Sequence, residues 1–199
     1  MTRKTVYREL TAAALLIASY PLNLAAERAG LFSGGRGEPV ILLHGFGGRP
    51  SNLLGLAAYL RMAGFANLAR FEYSTTQSIA ESAERLSHLV EAFGDRAGAH
   101  LIGHSLGGTI ARRFFFGAPN GRVRSLITLG SPYTRSQQSP AEVAIFGDED
   151  PIVPPPDDPV LSGVFKKMLV LENTGHLGVL YHPETLRAIE LELSSNSSL

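Results

Sequence analysis

The sequence predicts an α/β domain built on a parallel sheet of about six strands, with helices covering both faces. Two observations predict it. Short apolar runs that read as strands alternate with segments whose apolar residues recur at helical spacing. One of these strands passes directly into a helix through Gly103-His104-Ser105-Leu106-Gly107. Strands separated by helices pair in parallel, and such a sheet must bury both faces.

The elements follow in order. Val40–Leu43 is a short buried strand ending in the glycine-rich turn His44-Gly-Phe-Gly-Gly48. Ser51 to Ala63 reads as a helix stopped by Gly64, and Leu68 to Tyr73 as a strand. Ile79, Ala83, Leu86, Val90 and Phe93 then share one helical face, while Glu81, Glu84, Arg85 and Glu91 fall elsewhere. Strands are expected at Ala99–Gly103, Val123–Leu129, Val143–Phe146 and Met168–Leu171, with a helix from Leu106 to Phe116. A last helix begins at His182-Pro-Glu, with Pro183 suited to its first turn. The Ser131–Glu142 connection is too short for a full helix and should hold a turn or a vestigial one.

The 199 residues suffice for one domain with a sizeable core. Residues 1–37 are read as an apolar segment and linker, 38–193 as the folded domain and 194–199 as a disordered tail. Lys+Arg 18 balances Asp+Glu 18, and no basic stripe is interleaved with aromatics, which argues against nucleic acid as a partner. Cysteine is absent, which excludes disulfides, thiol chemistry and Cys-ligated zinc. No metal-ligand pattern is present either.

The first segment admits two kinds of reading. Arg3, Lys4 and Arg8 precede an apolar run from Leu10 to Ala18, which resembles a secretory signal with Ala26 as the passable cleavage point. Alternatively it is a helix that packs on the domain or lies on a membrane surface. The signal reading places the protein outside the cell and the membrane-surface reading at a membrane, both favoured over the cytoplasm, while a helix packed on the domain leaves the location open. Ser33-Gly-Gly-Arg-Gly37 then reads as a flexible linker.

The chemistry concentrates around Ser105. G-x-S-x-G between a strand and a helix puts the serine on a sharp, strained turn, with glycines where side chains would collide. A serine hydroxyl needs a base to become a nucleophile. Of the six histidines, His44 sits in the glycine-rich turn, and His104 neighbours the serine but is expected to point elsewhere. His88 falls inside a helix, His100 at a strand start and His182 at a helix start. His176 lies in a loop just after the last strand, at the sheet edge where a base could reach Ser105. The acidic loop after Val143–Phe146 offers Asp148, Glu149 and Asp150 as the carboxylate that orients the base. Asp150 is preferred and Asp148 is next, whereas Asp157 and Asp158 read as solvated charges. The order Ser105, Asp150, His176 suits a strand-turn-helix nucleophile. Backbone N–H groups of Phe46 and Leu106 are the candidate oxyanion donors.

Together Leu43-His-Gly-Phe-Gly-Gly, Gly103-His-Ser-Leu-Gly-Gly, Gly130-Ser-Pro, Asp150-Pro-Ile-Val and Gly175-His-Leu-Gly-Val-Leu-Tyr resemble the small lidless bacterial lipases of the bacillus type, within the α/β-hydrolase superfamily. The resemblance implies a minimal six-stranded α/β-hydrolase fold without a cap domain, a solvent-open site and no cofactor. It implies hydrolysis of small-molecule or lipid carboxylic esters, with short or medium acyl chains because little sequence is left for a cap. The same constellation serves thioesterases, amidases, polyester hydrolases and acyltransferases. A catalytically silent binding module on this fold is the alternative outside enzymes. The short Ser131–Glu142 connection and the N-terminal apolar segment depart from the pattern.

Overall fold

The computed structural model describes residues 1–19, 32, 35–93, 98–118, 121–133, 139–156 and 164–196. Among them are helix α1 (Arg3–Ser19), strand β1 (Val40–Leu43), helix α2 (Leu54–Met62), strand β2 (Leu68–Phe71) and helix α3 (Ile79–Ala92). Strand β3 (Ala99–His104), helix α4 (Leu106–Gly117), and strands β4 (Val123–Leu129), β5 (Ser139–Gly147) and β6 (Phe165–Leu171) follow, then helix α5 (Pro183–Asn196).

The six strands form one sheet in the order β2-β1-β3-β4-β5-β6, and every pairing is parallel. This is the minimal α/β-hydrolase architecture. Alternation along β1 divides the core in two. Val40 and Leu42 face the layer that holds Leu56 and Leu60 of α2 and Ile189 and Leu193 of α5. Ile41 and Leu43 face Leu86 and Val90 of α3 and Ile110 and Phe114 of α4. At about 25 cal/mol per Å² of apolar surface, each such fully buried aliphatic side chain contributes roughly 1.5–3 kcal/mol before entropy.

Local sequence explains where the elements start and stop. Ser78 caps α3, its Oγ accepting the Glu81 N–H at 3.2 Å while Glu81 Oε2 accepts the Ser78 N–H at 2.9 Å. The helix expected from Ser51 opens as a 3₁₀ turn over Pro50–Leu53 and becomes α-helical only at Leu54. Strand β5 starts at Ser139, inside the stretch read as a turn or vestigial helix, and residues 134–138 lie outside the described residues. Helix α5 runs to Asn196, further than expected, because Asn196 Nδ2 donates to Glu192 O at 2.8 Å and to Glu192 Oε1 at 2.7 Å. That corrects the disordered tail drawn from residue 194; residues 197–199 lie outside the described residues. So do the Ala26 cleavage point, Ser33 and Gly34 of the linker, and Asp157 and Asp158.

Helix α1 packs on the domain. Thr5 and Ala12 are buried, while Val6, Tyr7, Leu10, Leu15 and Ile17 are exposed. Among the described residues no helix is long and apolar enough to cross a membrane.

The topology fixes where a site can form. From β1 the chain moves to β2 on one side and returns to β3 on the other. The crevice beyond the C-terminal ends of β1 and β3 is therefore a topological switch point, where open α/β sheets bind ligands. The turn after β1 is His44–Gly48, and the residue after β3 is Ser105.

Candidate active site

Ser105 occupies φ 51°, ψ −120°, a left-handed conformation that costs an L-residue with a Cβ about 1–3 kcal/mol. Its neighbours allow the turn. A Cβ on Gly103 would lie 2.4 Å from Gly108 N, and one on Gly107 would lie 2.5 Å from the carbonyl oxygens of Leu43 and His44. The two glycines let the start of α4 press onto the ends of β3 and β1. Ser105 N–H donates to Leu129 O at 2.9 Å, which ties the turn to β4. The His44–Gly48 turn closes on the same point, since a Cβ on Gly45 would sit 3.1 Å from Ser105 Cβ. Phe46, at the tip of that turn, is 75% exposed, and Leu106 opens α4. The two candidate oxyanion donors thus come from the elements flanking Ser105.

The acidic loop after β5 divides its three carboxylates among three tasks. Asp150 Oδ2 accepts a hydrogen bond from His176 Nδ1 at 2.7 Å, with both groups buried. A carboxylate only accepts, so Nδ1 carries the proton and Nε2 is left as the basic nitrogen. The other Asp150 oxygen accepts the N–H groups of Ile152 at 2.8 Å and Val153 at 2.9 Å, which fixes the carboxylate plane. Asp148 accepts the Thr174 N–H at 3.0 Å and so holds the loop rather than the imidazole. Glu149 turns away to the N-terminus, accepting the Thr2 N–H and lying 3.5 Å from the Met1 ammonium.

Four of the remaining histidines lie in surroundings of their own. His88 is on the exposed face of α3, and His182 Nδ1 accepts the Glu184 N–H at 3.2 Å at the start of α5. His100 bridges Ser125 Oγ at 2.6 Å and Glu38 Oε2 at 3.0 Å beneath the opposite end of the sheet. His44 stacks on Tyr73 at 4.4 Å, and the Tyr73 hydroxyl donates to His44 O. Burial lowers the pKa of both His44 and His100.

His104 has a partner the sequence does not reveal: its Nε2–H donates to His176 O at 3.0 Å, and the two rings stand 4.8 Å apart. Desolvation pushes its pKa down to about 4, helped by the neighbouring His176. It is therefore a neutral donor that buttresses the His176 loop. Sequence reasoning missed Tyr73 as well, because the end of a predicted strand carries no sign of what its side chain will meet. Among the described residues no cluster of His, Asp and Glu could hold a metal ion.

The sequence from residue 39 to residue 150, more than half of the chain, matches the family model of palmitoyl protein thioesterase. This chain belongs to the palmitoyl protein thioesterase family. The matched stretch of this family member runs from β1 through Ser105 to Asp150.

Solved structures share the fold. A membrane phospholipase A described as a bacterial virulence factor superposes with a TM-score of 0.66 at 17% identity, covering 96% of each chain. A thermophilic esterase from Thermogutta terrifontis gives 0.63 at 16% identity, covering 83% of this chain and 92% of its own. An α/β hydrolase from a sediment metagenome of the lagoon of Mar Chica, Morocco, gives 0.63 at 20% identity, covering 81% and 93%. At such identities the likeness concerns the fold. No curated protein sequence matches significantly. The family member is a hydrolase of the α/β-hydrolase superfamily.

Proposed function

We propose that this chain is a serine hydrolase of carboxylic esters with short or medium acyl chains, working through an acyl-enzyme without a cofactor. Ser105 Oγ attacks the ester carbonyl while His176 Nε2 takes its proton. Asp150 holds the imidazole tautomer and stabilises the imidazolium. The N–H groups of Phe46 and Leu106 receive the oxyanion, where each such donor is worth roughly 3–4 kcal/mol. His176 then protonates the leaving alcohol, and water, deprotonated by the same nitrogen, releases the acid. The observation that carries the reading is the 2.7 Å bond from His176 Nδ1 to Asp150, at the sheet edge where β3 delivers Ser105 on a strained turn.

Thioester hydrolysis is the second reading, favoured by the palmitoyl protein thioesterase family match. The acyl-transfer steps are the same, with a thiolate leaving in place of an alkoxide. A lipid surface suits either substrate, since α1 presents Tyr7, Leu10 and Ile17 outward together with exposed Arg3 and Lys4.

A paired assay tests the reading. Wild type and Ser105→Ala are compared on a chain-length series of p-nitrophenyl esters, on acyl thioesters and with a fluorophosphonate probe. Wild type is expected to hydrolyse esters and to be labelled, and Ser105→Ala to lose roughly a thousandfold or more in turnover. Near-normal turnover in the variant would remove Ser105 from the mechanism. Labelling with turnover only on thioesters would move the assignment to the second reading.

A further inference from the structure

The two amides that follow His176 are bound by a side chain from the far end of the chain. Glu9 Oε2 accepts the Leu177 N–H at 2.8 Å, and Glu9 Oε1 accepts the Gly178 N–H at 2.6 Å. These N–H groups open the 3₁₀ turn Gly178–Leu180, where no backbone carbonyl of the turn itself can reach them. The glycines beside His176 make room for the carboxylate. A Cβ on Gly175 would lie 2.7 Å from Glu9 Cδ, and one on Gly178 would lie 2.7 Å from Glu9 Oε1.

The preceding residue of α1 holds the other side of the same loop. Arg8 Nη1 donates to the carbonyl oxygens of Glu172 at 2.9 Å and Asn173 at 3.0 Å. Helix α1 thus grips the loop before His176 with a cation on carbonyls and after it with an anion on amides. Charge-assisted bonds of both kinds are stronger than neutral ones. Thr2 bonds to Glu149, the neighbour of Asp150, so the helix also meets the acid loop.

We infer that Glu9 is a positioning residue for His176, and that α1 is a clasp required for full turnover. The inference rests on the reading of His176 as the general base. Glu9 touches neither substrate nor reacting atoms; it fixes the backbone from which the imidazole reaches Asp150. A general base displaced by about 1 Å can lose roughly a hundredfold in rate. A segment that resembles a removable leader therefore supplies part of the site's framework, and a chain lacking residues 1–26 would lack the clasp.

The test uses the full chain as wild type, Glu9→Gln and Glu9→Ala. Active sites are counted by fluorophosphonate titration, and kcat is expressed per titrated site, so that unfolded protein drops out. For Glu9→Ala, kcat on p-nitrophenyl butyrate is expected to fall roughly ten- to a hundredfold. KM should stay within about twofold, because ground-state binding does not use the base. Glu9→Gln keeps the packing and one acceptor, and is expected to fall between the other two. Wild-type kcat per site in Glu9→Gln and in whatever Glu9→Ala folds would overturn the inference, as would a loss confined to KM. If Ser105→Ala retains turnover, the catalytic reading itself fails; a dead Ser105→Ala beside fully active Glu9 variants sinks only the clasp.

Discussion

Nε2 of His104 lies 3.0 Å from the carbonyl oxygen of His176, joining the residue before Ser105 to the backbone of the proposed base. The bond needs a proton on Nε2, and burial keeps the ring otherwise neutral because a second proton cannot be solvated there. Its pKa of about 4 against an ordinary 6.5 makes it an acid-sensitive point in the fold. Between those values the unfolded chain binds a proton that the folded chain refuses. Stability therefore rises with pH through that window, and acidification from 6.5 to 4 removes up to about 3 kcal/mol.

Urea midpoints measured from pH 7 to pH 4 should fall in wild type. In His104→Gln, which keeps a donor for His176 O without titrating, they should fall less. A residual slope is expected, since burial lowers the pKa of His44 and His100 in the same direction. Identical slopes in the two proteins would remove His104 as the source.

The strain at Ser105 predicts opposite effects on stability and activity. Glycine accepts φ 51° without penalty, whereas alanine keeps the Cβ that makes the turn costly. Ser105→Gly should melt higher than Ser105→Ala, by about 1 kcal/mol in unfolding free energy, while neither variant turns over ester. Thermal melts of the two variants check this directly, and equal stability would mean that the turn stores no strain.

Asp150→Asn should lower kcat by roughly three to four orders of magnitude with little loss of stability, because an amide favours the wrong imidazole tautomer. Its remaining oxygen can still accept the Ile152 and Val153 N–H groups that shape the loop. Single-turnover acylation kinetics beside a urea titration separate the two effects. Asp148→Asn, whose carboxylate meets Thr174 N–H instead, should cost far less.

Arg112 and Glu142 form a buried ion pair at 2.7 and 2.9 Å, linking the helix that follows Ser105 to the strand that leads to Asp150. Arg112 is 2% exposed and Glu142 0%, so removing either partner strands a charge in the core. Glu142→Ala should destabilise by about 3–5 kcal/mol, and pairing it with Arg112→Met should recover a large part of that loss. A denaturant double-mutant cycle measures the recovery. Additive losses would mean the pair acts through Thr128 Oγ1 and Pro132 O, which also bond to it, rather than through its charges.

The sequence alone determined the sheet, the order of its elements and the strand-turn-helix at Ser105. These depend on local periodicity and on glycines that have no substitute at a close approach. Val40–Leu43 is legible as a strand because a buried parallel strand is a continuous apolar run. The approach of Asp150 to His176 could be anticipated only as an order along the chain. The sequence ranks Asp150 ahead of Asp148 and Glu149, but where each side chain goes is set by the tertiary structure, which turns Asp150 onto the imidazole, Asp148 onto Thr174 N–H and Glu149 toward the N-terminus. It also decided the role of Glu9, whose bonds to Leu177 and Gly178 span almost the whole chain. No periodicity reports such a contact, because it is made by packing a helix onto a finished sheet edge.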